Sequence, residues 1–112
     1  MSTIKSYTDL EQSRKLVEIL PIESADMSWV SNGLGKPFAR TIPIKGDPEE
    51  LCACWSLAAL LGVLPDYTLQ TNTDGTVFVV CESKKSMISD AYDNPIDACV
   101  EVITRLNELN LL

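Results

Sequence analysis

Residues 47–64 read DPEELCACWSLAALLGVL, and the shape of the fold turns on how this stretch is taken. Asp47 followed by Pro48 is a cap with a first-turn proline, and Glu49 and Glu50 put negative charge at the positive end of a helix dipole. The stretch therefore reads as a helix from about Pro48 to Leu61. Its body, Leu51 to Leu61, is apolar nearly all round. Such a helix must be covered on more than one side, which makes it the centre of the core or part of an oligomer contact.

On the N-terminal side, Thr8, Asp9 and Glu11 form a capping-box pattern that opens a first helix. Leu10, Leu16, Val17, Ile19 and Leu20 lie along one side of it, Glu11, Gln12, Lys15 and Glu18 on the other, and Pro21 forbids continuation. From Ser24 the pattern alternates, with Ala25, Met27 and Trp29 on one face, up to the turn-rich Ser31-Asn32-Gly33-Leu34-Gly35. Phe38, Arg40, Ile42 and Ile44 continue as a second strand, paired with the first as a hairpin, and Pro43 suits only an edge or an interruption.

Beyond Pro65, Thr68 to Thr71 and Thr76 to Cys81 are two strands around the turn Asn72-Thr73-Asp74-Gly75. Lys84 to Tyr92 is polar and reads as irregular. Asn94-Pro95 with Asp97 starts a last helix, its stripe Ile96, Cys99, Val100, Ile103 and Leu106 facing inward and Glu101, Arg105 and Glu108 facing solvent. The expectation is one α+β domain over residues 1–112. It has a four-stranded antiparallel sheet packed by three helices, in the order α-β-β-α-β-β-α.

Composition narrows the function. Hydrophobic residues make up 46% and charged residues 22%, which suits one ordered core. Nine basic against sixteen acidic residues leave a net charge of −7, with the cations dispersed, and this disfavours nucleic acid. The start has no apolar leader, and the longest uncharged apolar run, Leu51 to Leu64, is short of the ~20 residues a bilayer demands. A soluble, cytoplasmic protein with no membrane partner is expected.

With no histidine, Ser-His, Cys-His and imidazole–metal chemistry is removed by arithmetic. Four cysteines without a secretion signal read as buried thiols. Cys52 and Cys54 on a helix would point about 200° apart, so a zinc site drawing on Cys81 and Cys99 is disfavoured. Gly33-Leu34-Gly35-Lys36 lacks the P-loop frame and reads as a hairpin turn. No residue pattern asks for a cofactor.

The densest acidic group is Asp90, Asp93, Asp97 and Glu101, the candidate ligands for a divalent cation or an acid/base pair. Capping by Asp97 and a Glu101–Arg105 pair account for the same residues structurally. Trp29 and Trp55 are the candidate interaction residues, although an alternating strand and an apolar helix equally suit a core.

Three stretches carry a resemblance: YTDLEQSRKLVEILPIESADM (7–27), CWSLAALLGVLP (54–65) and DNPIDACVEVITRLNELNLL (93–112). Together they resemble a set of short uncharacterised proteins of gut anaerobic bacteria and their phages or integrated elements. The close, Asn94-Pro95-x-Asp97-Ala98 and its amphipathic helix, is also similar to the end of phage domains in which a sheet lies between helices. The resemblance implies an accessory role in a phage or mobile element. The expected function is then a non-catalytic protein-binding or adaptor domain with an unidentified protein partner. Self-association as a homo-dimer would use leftover apolar helix surface or an open sheet edge. The rival is a small carboxylate-based enzyme, or a divalent-metal or ligand binder, using the four acids.

Overall fold

The computed structural model describes residues 5–31, 37–40, 50–82 and 86–111. Its first helix, α1 (Leu10–Val17), is capped one residue later than the sequence suggests. Asp9 Oδ1 accepts from the Gln12 N–H at 2.7 Å, and Gln12 Oε1 accepts from the Asp9 N–H at 3.2 Å. Thr8 is thereby released from capping and is buried completely. A single 3₁₀ turn (Ile22–Ser24) leads into β1 (Met27–Val30).

Strand β2 (Phe38–Arg40) pairs antiparallel with β1, Trp29 lying opposite Ala39, as the hairpin reading expects. The turn at Gly33-Leu34-Gly35-Lys36, the residues Ile42 to Ile44, and the Asp47-Pro48-Glu49 cap lie outside the described residues.

The central expectation fails at Glu50–Cys54. This segment is not the first half of a helix but a strand, β3, antiparallel to β1 with Cys52 opposite Trp29 and Cys54 opposite Met27. A short continuous apolar run is compatible with either a covered helix or a strand buried on both faces, and periodicity cannot separate them. Here Ala53 and Cys54, neighbours on opposite faces of β3, are both buried.

The helix proper, α2 (Leu57–Val63), opens at Ser56, whose Oγ accepts from the Ala59 N–H at 3.3 Å. The chain is held open just before it by the N-terminal segment. Thr8 N–H donates to the Trp55 carbonyl at 2.9 Å and Leu57 N–H to the Ser6 carbonyl at 3.2 Å. Those backbone groups are therefore committed to a bridge rather than to a helical ladder.

After α2 come β4 (Tyr67–Thr71), β5 (Val77–Glu82) and β6 (Ser86–Ile88). The β4–β5 hairpin turns at Gly75, whose φ of 90° favours glycine. Strand β6, in a segment whose polarity reads as irregular, pairs Met87 with Cys81 and so adds a third strand. Among the described residues the single four-stranded sheet is thus replaced by two separate three-stranded antiparallel sheets, ordered β2-β1-β3 and β4-β5-β6. The element order becomes α-β-β-β-α-β-β-β-α.

The last helix, α3 (Pro95–Glu108), starts where expected, Asn94 Oδ1 accepting from the Asp97 N–H at 2.9 Å with Pro95 in the first turn. Its buried stripe includes every predicted inward residue and adds Ala98 and Val102, because α3 packs against both β5 and α2. Trp55, Leu16, Leu60, Val79, Ile96, Ile103 and Leu106 form the heart of the core. Each large aliphatic buried there contributes on the order of 1.5–3 kcal/mol.

The thinnest dimension is 18 Å, room for one helix layer upon one sheet layer. In β5 the inward residues Val79 and Cys81 are buried beneath α3, whereas Phe78 and Val80 point outward and keep partial exposure. In register with Val80 on that outer face stand Thr68 and Ile88, the latter 57% exposed. Among the described residues, no helix is long and apolar enough to cross a membrane.

Candidate functional site

The acidic group is built around the start of α3. Asp97 Oδ1 accepts from Lys5 Nζ and from Gln12 Nε2, both at 2.8 Å, and Oδ2 from Asn94 Nδ2 at 2.9 Å. It is therefore a three-donor clasp joining the N-terminal segment and α1 to α3. Burial pushes this carboxyl up, but the Lys5, Asn94 and Gln12 donors outweigh it and hold Asp97 below the usual carboxylate range. For Lys5, burial works to lower the ammonium, and Asp97 and Asp9 together leave it raised.

Glu101 is not on the solvent side, as the helical projection suggests; its side chain is only 14% exposed. It faces the loop before α3, where Oε1 accepts from the Tyr92 hydroxyl at 2.7 Å and Oε2 from the Asp90 N–H at 3.0 Å. The expected pairing with Arg105 is present but long, at 3.8 Å. Asp90 contributes to this cluster through its backbone, and Asp93 accepts from Asn94 Nδ2 at 2.8 Å. The four acids consequently serve different partners. Among the described residues, no three His, Cys, Asp or Glu side chains come together to hold a metal ion.

Between α1 and α3 lies an open cleft of about 620 Å³, lined among others by Lys5, Gln12, Lys15, Tyr92, Asp97 and Glu101. Tyr92 is its one hydroxyl with a displaced equilibrium. The Glu101 carboxylate accepting its hydrogen bond, together with burial, pushes the phenol up to about 12. A folded-state value above the unfolded one, about 10, gives stability that is complete below pH 10 and lost as pH rises toward 12. Glu101→Gln removes the charge but keeps an acceptor, and the alkaline tyrosinate absorbance step is expected to move to lower pH. An unchanged step, with circular dichroism showing the fold intact, would rule the contact out.

The thiols are structural in their surroundings. None of the four cysteines is in a disulfide, and Cys54, Cys81 and Cys99 are buried. Burial raises the Cys54 and Cys81 thiols and drives Cys99 up to about 12, disfavouring the thiolate that nucleophilic or metal chemistry requires. As strand neighbours, Cys52 and Cys54 point to the same side, unlike the helical pair expected from the sequence, and there they lie alongside Trp29 and Met27.

Trp29 is half-buried, its indole N–H donating to the Thr8 carbonyl at 3.1 Å and its ring edge-on to Tyr7 with centroids 5.9 Å apart. Trp55 is 0% exposed, its indole N–H donating to Ser24 Oγ at 2.9 Å.

The surface that sequence reasoning did not single out is the outer edge of β4. All five of its residues are exposed, and it is the end strand of its sheet. The bonds from Glu82 N–H to the Asp66 carbonyl and from Asn72 N–H to the Thr76 carbonyl set the phase of the ladder. Residues 66, 68, 70 and 72 turn their backbone groups toward β5, so those of Tyr67, Leu69 and Thr71 point away from the sheet. Among the described residues, no other element pairs with that edge. One signal was present in the sequence, namely that residues 67–73 form an uncharged run between Asp66 and Asp74. Edge strands are usually blunted by charge or proline, and this one carries neither.

Comparison with protein-family models, curated proteins and solved structures found no match to this chain.

Proposed function

We propose that this chain is a non-catalytic protein-binding or adaptor domain, an accessory of phage or mobile-element origin, that receives an extended segment of its partner on the edge of β4. The observation that carries the reading is the row of outward backbone groups at Tyr67, Leu69 and Thr71 on a fully exposed, uncharged strand. In strand addition the main chain supplies affinity, and pockets for alternate side chains supply selectivity. The side chains that flank that edge are β4's own, Tyr67, Leu69 and Thr71 on one face of the sheet and Thr68 and Gln70 on the other. The cleft supports the same reading, since Asp97 and Glu101 are engaged there in holding α3 to the N-terminal segment and to the preceding loop.

Leu69→Pro tests it cleanly. The Leu69 N–H points out of the sheet, so proline costs no ladder bond in the folded chain and removes one donor from the edge. Extended peptides selected against the wild type from a displayed random library should bind the wild type and lose at least tenfold on the variant, with the melting temperature held. Peptides that bind both equally, or a library that yields no binder, would sink the proposal.

A further inference from the structure

We infer that the β4 edge takes a second copy of this chain, paired antiparallel about a two-fold axis at Leu69; this rests on β4 being a binding edge. The outward backbone groups sit at Tyr67, Leu69 and Thr71, symmetric about the middle residue. An isologous contact requires such self-complementarity. With Leu69 opposite Leu69 of the second copy, Tyr67 falls opposite Thr71 and Thr68 opposite Gln70. Every outward N–H and C=O then meets its counterpart, and the β4-β5-β6 sheets of the two copies become one continuous six-stranded sheet.

Charge selects the same register. With a net charge of −7, two copies repel each other over most approaches, and contact is favoured where charge is absent. The pairing places five uncharged residues against five, and its next pair outward sets Asp66 against Asn72, so no carboxylate meets another. Tyr67 and Leu69, 42% and 36% exposed in the lone chain, are covered by each other across the axis. One strand pair lies at the small end of stable interfaces, so the dimer is reversible and grows with concentration.

Sedimentation of the full chain across a wide concentration range should show a monomer–dimer equilibrium. Leu69→Lys, which sets two ammonium groups against each other on the axis, should weaken it at least tenfold while the fold and melting temperature are kept. The register has its own readout under mild oxidation, with the wild type as control for the native thiols. Leu69→Cys should cross-link, its Cα atoms lying about 5.5 Å apart across the pair. Tyr67→Cys should not, being on the order of 14 Å from its own copy. A wild type that stays monomeric throughout overturns the inference, as does a folded Leu69→Lys variant that dimerises undiminished or a cross-link at Tyr67 and not at Leu69. A monomer whose selected peptides still need β4 overturns the second copy alone and leaves the binding reading in place.

Discussion

Trp55→Ala is expected to lower the unfolding free energy by about 3–5 kcal/mol, the range for removing a large aromatic from a well-packed core. Trp55 is the largest of the fully buried side chains and sits in one cluster with residues of α1, α2, β5 and α3. It is also the joint at which β3 ends and α2 begins. The cavity left behind is bounded by elements of both sheets, so no single segment can relax into it. The indole N–H is paired with Ser24 Oγ at 2.9 Å, and alanine also removes that tie to the 3₁₀ turn. Domains of this kind have on the order of 5–15 kcal/mol in hand, so a marginal fold would be visibly unfolded by this change alone. Denaturant titration checks it, and a shift below about 1 kcal/mol would place Trp55 outside the core. Trp55→Phe, which retains most of the volume, should lose less than alanine does.

Thr8→Val should destabilise by about 1–3 kcal/mol even though shape is conserved, since a buried donor loses its partner. The Thr8 hydroxyl oxygen accepts from the Trp55 N–H at 3.2 Å, shares a hydrogen bond with Ser13 Oγ at 2.7 Å, and lies 3.6 Å from Cys54 Sγ. All of these groups are buried, so water does not replace the lost oxygen. The methyl of valine fills the space and leaves the Trp55 N–H unsatisfied at the strand-to-helix joint. Thr8→Ser keeps the oxygen and should recover most of the loss. Ser13→Ala added to Thr8→Val should cost less than the two single changes summed, because members of one network are not additive. A Thr8→Val variant within half a kcal/mol of wild type would show that the hydroxyl cluster carries no net stability.

Both predictions concern the place where sequence reading and structure part. The sequence puts a helix across residues 48–61; the chain is a strand to Cys54 and a helix only from Leu57. Ser56 is a good cap residue in plain view, but it sits inside an uninterrupted apolar run, where periodicity distinguishes neither state. What decides is distant in sequence: β1, the backbone of residues 6–8 and the side chains of Thr8 and Asp26, which claim hydrogen-bonding groups between Cys52 and Leu57. The same reason hid β6, since a polar segment of three residues becomes a strand only beside β5. The cap of α1 moved by one residue because Thr8 is worth more in the core than at a helix end.

The acidic group shows the limit for sites. Asp97 was legible as a first-turn residue of α3, but not as the partner of Lys5 and Gln12, which lie 92 and 85 residues away. Glu101 was legible as a neighbour of Arg105, whereas its shorter bonds go to Tyr92 and Asp90 in the preceding loop. The β4 edge was written as an uncharged run, but which strand of a sheet is outermost is not a local property.

Read alone, the sequence determined the α+β class, the two hairpins, the start of α3 with its buried stripe, and the burial of most of the thiols. These follow from caps, turns and side-chain periodicity, whose energies act over a few neighbouring residues. Tertiary structure alone decided that the oily middle divides into strand and helix, that the described strands form two sheets instead of one, and that β4 stands at the end of its sheet. Those outcomes depend on which distant backbone groups satisfy each other, and a short apolar segment adopts whichever form its partners complete.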